Sequence, residues 1–376
     1  MEVIEVLEAV TRRQQRDFME FPNRLYKGNS CYVPPLWIDE RKIFRKDYIY
    51  YETCEAVYYN AYRDGEMVGR ISGIIQRASN EKTGEKRVRF TRFDCIDDFE
   101  VARALFETVE AWALKKGMDG VCGPLGFSDL EKEGLLIEGF DQMSTFEEQY
   151  NAPYYREFIE RLGYEKEVDW LEYRIFAPDP EQEEDMRKMS DFILKRYKLH
   201  FGKASSAKEF LAKYMDGFFE VLDSSYENIY GTVPFTEGMK KLLVSNFELI
   251  IDENHAAVIL DENEKVVLMA ICFPSIAKAM QISGGHLTPR SIIRFLKDRK
   301  NPEVIDLGLI GVDPKWVNRG VSVCVAAELA RMLHQKGTLY AESNLNLEDN
   351  YAIQNLWKRF NSVQNKKRRA YIKWLR

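Results

Sequence analysis

The loop Val317-Asn318-Arg319-Gly320-Val321-Ser322 has residue types and spacing suited to holding a diphosphate. Before it runs an apolar strand pattern, Val304 to Val312, stopped by Asp313-Pro314, because proline cannot donate to a ladder and restricts the residue before it. After it comes a helical pattern, Val323 to Lys336, closed by Gly337 where a helix C-terminal glycine belongs. Strand, glycine-bearing loop and helix, in that order, point backbone N–H groups and the positive end of a helix dipole at one spot, where a phosphate is stabilised. Arg319 would add charge to Asn318, Gly320 and Ser322. The same residues would equally serve as a polar turn capping a helix.

Other chemistry is less concentrated. His200, His255, His286 and His334 are too scattered for a metal cluster or a triad, and no metal site is expected. No Gly-x-Ser-x-Gly, P-loop lysine motif or zinc spacing occurs, which removes the commonest hydrolase, nucleotidase and metalloenzyme classes. Six cysteines lie far apart without a Cys-x-x-Cys pair and read as reduced packing residues of a cytoplasmic protein. The one basic run, Lys366 to Arg369, precedes an expected strand Ala370 to Leu375. It reads as a solvated hairpin turn, with contact to an acidic partner or a ligand's phosphate as the alternative.

The elements that must position the loop are those of a sizeable α/β protein. A hydrophobic fraction of 45% and a charged fraction of 30% over 376 residues are those of a soluble globular chain of about two domains. The net charge of −6 gives no reason to expect nucleic acid, and neither a leader nor a membrane span is visible, so no membrane partner is expected. Phe21 to Leu36, with its aromatics and prolines, reads as an irregular segment after a helix-like start at Thr11. Ala56–Tyr62 and Met67–Gln76 read as a hairpin through Asp64-Gly65, followed by a strand Arg87–Cys95 and a helix from Asp98 to Gly117. Beyond Ala177, helical patterns cover Met186–Tyr197, Ala207–Glu227 and Thr236–Phe247. Strands are expected at Leu249–Ile251, His255–Asp261 and Val266–Phe273, and then a helix, a glycine bend at Gly284-Gly285 and a second short helix.

The stretch from Val304 to Asn361 resembles the acetyl-CoA-binding core of the GCN5-related N-acetyltransferase superfamily, whose phosphate loop, Gln/Arg-x-x-Gly-x-Gly/Ala, follows a strand ending in Val-Asp-Pro. Here Val312-Asp313-Pro314 is intact, Gly320 matches, Val317 replaces the first residue and Ser322 the last. Asn350, Leu356-Trp357 and Asn361 parallel the family's later helix, with Asn361 standing for a left-handed glycine and Trp357 for a tyrosine. Phe21-Pro22, Tyr32-Val33-Pro34-Pro35-Leu36, Gly123-Pro124, Glu133 to Asp141 and Tyr150 to Tyr155 are similar to a group of uncharacterised bacterial tandem N-acetyltransferase-like proteins. The resemblance implies acetyl-CoA or another acyl-CoA as cosubstrate, bound at Ile310, Gly311, Val312, Asn318, Arg319, Gly320, Val321, Ser322 and Asn350, with an amine acceptor. Such transfer requires a base, a proton for the leaving thiolate and a donor to the carbonyl oxygen. In the family that donor is a backbone N–H on the strand before the loop, here near Ile310 to Val312. Asp306 and Glu342 are the candidate bases and Tyr340 and Tyr351 the candidate proton donors; solvated edge carboxylates and packing aromatics are the ordinary readings of all four.

The order Arg87 to Cys122 is that of Val304 to Ser343, and Asn151 to Tyr164 parallels Asn350 to Asn361, as expected of a tandem duplication. The expected architecture is α/β, two mixed sheets flanked by helices: a degenerate acceptor-side domain 1–176, an acidic, proline-punctuated linker 177–185 and an acyl-CoA-binding domain 186–376. The equivalent turn of the first half, Ile96 to Glu100, carries carboxylates and would repel phosphate. The long excursion Gly123 to Gln149 is expected to be an ordered loop offering carboxylates to a cationic acceptor. The favoured function is acetyl transfer from acetyl-CoA to an amine. The alternatives are a binding protein that has lost the chemistry and, less favoured, aminoacyl transfer from tRNA.

Overall fold

The computed structural model describes residues 3–227, 229–251 and 253–375. Contacts divide the chain into two units. Unit 1 is Met1–Trp170, Ala277–Ile292 and Lys366–Arg376, and unit 2 is Leu171–Ile276 and Ile293–Asn365. The first stretch of chain forms β1 (Glu5–Glu8), α1 (Arg12–Leu25), α2 (Trp37–Glu40), β2 (Cys54–Arg63), β3 (Glu66–Gln76), α3 (Arg77–Thr83), β4 (Arg87–Cys95), α4 (Phe99–Lys115), β5 (Gly120–Gly123), β6 (Leu135–Glu138), α5 (Tyr154–Arg161) and β7 (Glu165–Phe176). The second forms α6 (Pro180–Tyr197), β8 (His200–Phe201), α7 (Ala207–Ser225), α8 (Glu237–Ile250), β9 (Ala256–Leu260), β10 (Val266–Pro274), α9 (Ala277–Ser283), α10 (Pro289–Lys300), β11 (Val304–Val312), α11 (Ser322–Leu333), β12 (Tyr340–Glu342), β13 (Asn346–Leu347), α12 (Tyr351–Trp357) and β14 (Asn361–Trp374).

In unit 1 the sheet order is β1-β2-β3-β4-β5 and then the later part of β14, with β4 and β5 parallel and the other pairs antiparallel. The β2–β3 hairpin closes through Asp64 and Gly65, both at positive φ, the backbone a two-residue turn demands. Gly69 and Gly73 of β3 leave room for Leu105 and Trp112, so α4 lies close against the sheet and buries Val101, Leu105, Phe106 and Val109. In unit 2 the order is the later part of β7, then β12-β11-β10-β9-β8, with β11 and β12 parallel. There α7 packs on β10 and β11, where Gly311 admits Phe218, Val221 and Leu222, and α6 packs on α11.

Several expectations are corrected. The acidic run is no linker, because Asp179 caps α6 in a capping box with Gln182 and Pro180 occupies the first helical position. The division between units falls within β7, after Trp170, and again within β14, after Asn365. Leu249–Ile251 is not a strand but the end of α8 and its cap. Helix α1 continues through Pro22 to Leu25, where an irregular segment was expected. The basic run is no solvated turn: it lies within β14, with Lys366 and Arg368 buried and Arg369 bidentate to Asp169 at 2.7 and 3.0 Å. Asn361 begins β14 without a positive φ, bonding the Ala177 carbonyl at 3.1 Å.

Candidate active site

Along β11 the antiparallel register with β10 gains one residue: Ile271 faces Leu309 and Cys272 faces Leu307, leaving Gly308 as a bulge. A Cβ at Gly308 would meet Phe273 at 2.7 Å and the Ile271 carbonyl at 2.9 Å, so only glycine fits. On its other edge β11 pairs with β12 for three residues, Val304 with Tyr340 to Asp306 with Glu342, and there the parallel register ends. Past that point opens a cleft, between Leu307, Leu309 and Ile310 on one side and α11 and α12 on the other. Val325, Leu329, Ile353, Leu356 and Trp357 make it apolar, and Asn344 and Asn346 are its polar side chains.

The loop that follows β11 is shaped by two left-handed residues, Asn318 at φ 68° and Gly320 at φ 78°. Helix α11 starts at Ser322 without a side-chain cap, since Val321 holds the cap position. The amides of Val323 and Cys324 bond back to the Gly320 and Val321 carbonyls. Among the described residues the amides of Gly320, Val321 and Ser322 donate to no protein acceptor. Three free amides in sequence at the start of a twelve-residue helix can receive an anion. Arg319 is exposed, its guanidinium 4.9 Å from the Trp316 ring and 5.7 Å from that of Tyr197. Gly320 also has a packing role, because a Cβ there would sit 3.0 Å from Ile193 of α6.

The other candidates are dispersed. Ile310 lines the cleft; Gly311 faces α7 and Val312 pairs with Leu268. Asn350 caps α12, accepting from the Ile353 amide at 3.2 Å. Asp306 and Glu342 are buried at the closed end of the gap, and neither lines the cleft. Glu342 receives Arg174 at 2.8 and 2.6 Å and Asn365 at 2.9 Å. Tyr340 lies under the Arg174 guanidinium, 4.2 Å from ring to charge, and Tyr351 is exposed to solvent. Trp357 lines the cleft and donates its indole N–H to Asn346 at 2.7 Å. Sequence reasoning missed Tyr226, at the end of α7, whose hydroxyl donates to the Ile310 carbonyl at 2.8 Å.

Unit 1 has the same construction with a different interior. Arg70 faces Asp94 and Ser72 faces Thr91, so β4 carries Arg92 and Phe93 against Ile71 alone, with Arg92 at φ 51°. The parallel pairing of β4 with β5 also lasts three residues, Arg87 to Arg89. The space beyond is closed by the chain itself, as Leu125 donates to the Phe90 carbonyl at 2.9 Å and Gly134 to that of Pro124 at 2.8 Å. Beside the bulge lies a charged hollow. Arg70 pairs with Asp94 at 2.8 Å, Arg92 pairs with Glu40 at 2.6 Å, and Tyr26 donates to Asp94 at 3.0 Å. Burial pushes the Glu40 carboxyl up, and the Arg92 guanidinium more than reverses this, holding it at about 2. Lys132 faces the same hollow, pushed down to about 8 by burial, and among the described residues it makes no hydrogen bond or ion pair. The carboxylates of the excursion are not simply offered outward, the arrangement expected from sequence: Glu131 accepts from Tyr48 and the Phe127 amide. Arginines at positions 87, 89 and 92 within a buried strand were the signal in the sequence for this cluster.

No protein-family model matches the chain. Protein YghO of Escherichia coli (strain K12) is 25% identical over 375 residues, covering 97% of this chain and 94% of the relative. A protein named Bacterial ceramide synthase, from Caulobacter vibrioides (strain NA1000 / CB15N), is 24% identical over 293 residues, covering 76% of this chain and 74% of the relative. Among solved structures, a tandem GNAT protein from the clavulanic acid biosynthesis pathway superposes with a TM-score of 0.53 at 11% identity, covering 99% of this chain and 98% of that one. At such identities the likeness establishes architecture alone: the chain has the α/β fold of the tandem GCN5-related N-acetyltransferase structures.

Proposed function

We propose that the protein transfers an acyl group from an acyl-CoA to an amine, with the diphosphate on the amides of Gly320 to Ser322 and the acyl chain in the cleft of unit 2. The observation that carries this reading is the apolar cleft opening where β11 and β12 part. Its lining is almost wholly aliphatic and aromatic and suits a hydrocarbon chain better than an acetyl group. That favours a fatty acyl donor over the acetyl donor expected from sequence. The Caulobacter relative agrees, since a ceramide is an amide of a fatty acid with a long-chain amino alcohol.

In the reaction the amine nitrogen bonds the thioester carbonyl carbon, the C–S bond breaks, a proton leaves the nitrogen and the thiolate takes one up. The bulged β11 backbone beyond Asp306, no longer paired with β12, would donate to the carbonyl oxygen. Tyr226 is the hydroxyl that reaches this strand and the candidate source of the thiolate's proton. Of the two carboxylates at the closed end, Glu342 is engaged with Arg174 and Asn365, so taking up a substrate proton there would break an ion pair. Asp306, opposite Glu342 in the parallel register, is the other candidate base.

Trp357, bonded to Asn346 in the place of a tyrosine, favours a second reading, binding without turnover. The test is thiol release from palmitoyl-CoA and from acetyl-CoA in the presence of a long-chain amino alcohol, with mass spectrometry for the amide. Amide formation, faster from palmitoyl-CoA, is expected. Acyl-CoA binding without amide from any amine would leave the second reading in its place.

A further inference from the structure

Helix α10 is turned inside out. Its buried side chains are polar: Ser291 and Asp298, seven positions apart and so on one face, are 1% and 5% exposed. Ser291 bonds the carbonyls of His286 and Thr288, and Asp298 receives Arg294 at 2.7 Å. The opposite face carries Ile292, Ile293 and Leu296, which are 44%, 68% and 56% exposed. A helix that packs on a core hides its apolar stripe, whereas this one holds three large apolar side chains in water. Arg290, Lys297 and Lys300 stand exposed beside that stripe, and among the described residues none of the three meets a carboxylate. The chain as a whole carries a net charge of −6, so this collection of free cations runs against its average.

We infer that α10 lies on an anionic membrane surface, with Ile292, Ile293 and Leu296 in the boundary between headgroups and acyl chains and the three cations on lipid phosphates. Charge decides between this occupant and a protein partner. Lysine is depleted where a protein interface closes over it, while at a bilayer its stem lies along the apolar boundary and its ammonium reaches the phosphates. With twelve residues, about 18 Å, α10 is too short to cross a bilayer, so its contact is with one leaflet. The inference rests on α10 alone and stands or falls separately from acyl transfer.

The full chain, without substrates, would be sedimented with phosphatidylcholine vesicles and with vesicles that also contain phosphatidylglycerol. Binding to the anionic vesicles is expected, about tenfold or more tighter than to the neutral ones and weakened by salt. Ile293→Asp with Leu296→Asp, and separately Arg290→Glu with Lys297→Glu, should each lower it about tenfold or more. All four positions are on the surface, and circular dichroism should report an unchanged fold. Val10→Asp, at an exposed apolar position outside the helix, should bind like the wild type. The inference is overturned if the wild type ignores anionic vesicles or if both double variants bind as it does. It is equally overturned if the apolar double variant only converts a dimer into a monomer, which would assign the stripe to a second copy of the chain.

Discussion

The gap beside β4 in unit 1 and the gap beside β11 in unit 2 open in the same way, after three parallel pairs and next to a bulge. Their contents are opposite. At the bulge, unit 1 has Arg92, paired with Glu40, and unit 2 has Gly308; the first fills its surroundings with charge and the second leaves them empty. The helix that follows repeats the contrast. Asp98 caps α4 by accepting from the Glu100 amide at 2.9 Å and is itself bonded to Arg63. The start of α11 has no side-chain cap and keeps its amides free. One order of elements thus supports a closed polar core and an open apolar cleft, and a few side chains at the bulge and the helix start separate them.

The sharpest way to break this comparison is to show that the unit 1 cluster is not structural. Arg70→Ala or Asp94→Ala would strand a buried charge and should cost about 3–5 kcal/mol in urea unfolding, while Arg70→Met with Asp94→Leu should cost much less. Acyl-CoA affinity at a temperature where the variants stay folded should not change; a selective loss of affinity would move the site to unit 1.

Next in size is the cleft. Ile353 is half-buried on its wall, and Ile353→Trp should lower affinity for palmitoyl-CoA tenfold or more, about 1.4 kcal/mol, with free CoA unaffected. Equal losses for both ligands in calorimetry would mean that the chain does not enter there.

Lys132 gives the hollow a pH signature. Its folded pKa, about 8, lies below its ordinary value of 10.5, so between those limits the unfolded chain holds a proton that the folded chain has released. Stability contributed by this residue therefore rises from pH 8 to pH 10.5, and below pH 8 its charge is a cost. Lys132→Met should be more stable than the wild type at neutral pH by about 1–3 kcal/mol, with the advantage shrinking as pH rises. A difference independent of pH would show that the ammonium is not held out of water.

The smallest effects separate the two helix starts. Asp98→Ala should cost about 1 kcal/mol of stability, the value of a cap, and leave CoA binding alone. Arg319→Ala should leave stability alone and weaken CoA binding by about 0.5–1 kcal/mol, because this guanidinium is exposed. Gly320→Glu would not discriminate, since a side chain at that positive φ also collides with Ile193.

The order of elements through both stretches was legible because its signals are local. Val312-Asp313-Pro314 ends a strand, Gly117 at φ 74° follows the cap of a helix, Asp98 starts one and Asp64-Gly65 turns a hairpin, each through the conformation of one or two residues, whereas α11 ends at Leu333, short of the expected Gly337. The same grammar was present at Asp179-Pro180 and Gln182, where acidity and proline spoke for a linker although cap, first position and capping box spelled a helix start. What no local pattern held was partnership. Lys366 to Arg369 look solvated in one dimension and are largely buried in β14, because Asp169 and the Gln149 carbonyl come from far along the chain to meet them. Glu342 looks like a base until Arg174 and Asn365 are seen beside it. Sequence by itself determined the order of most strands, turns and helices and those ends that one or two residues set, since these depend on backbone preferences within a few residues. Only the tertiary structure decided which charges are neutralised and which gap stays open, because burial brings distant groups together at a cost that only pairing offsets.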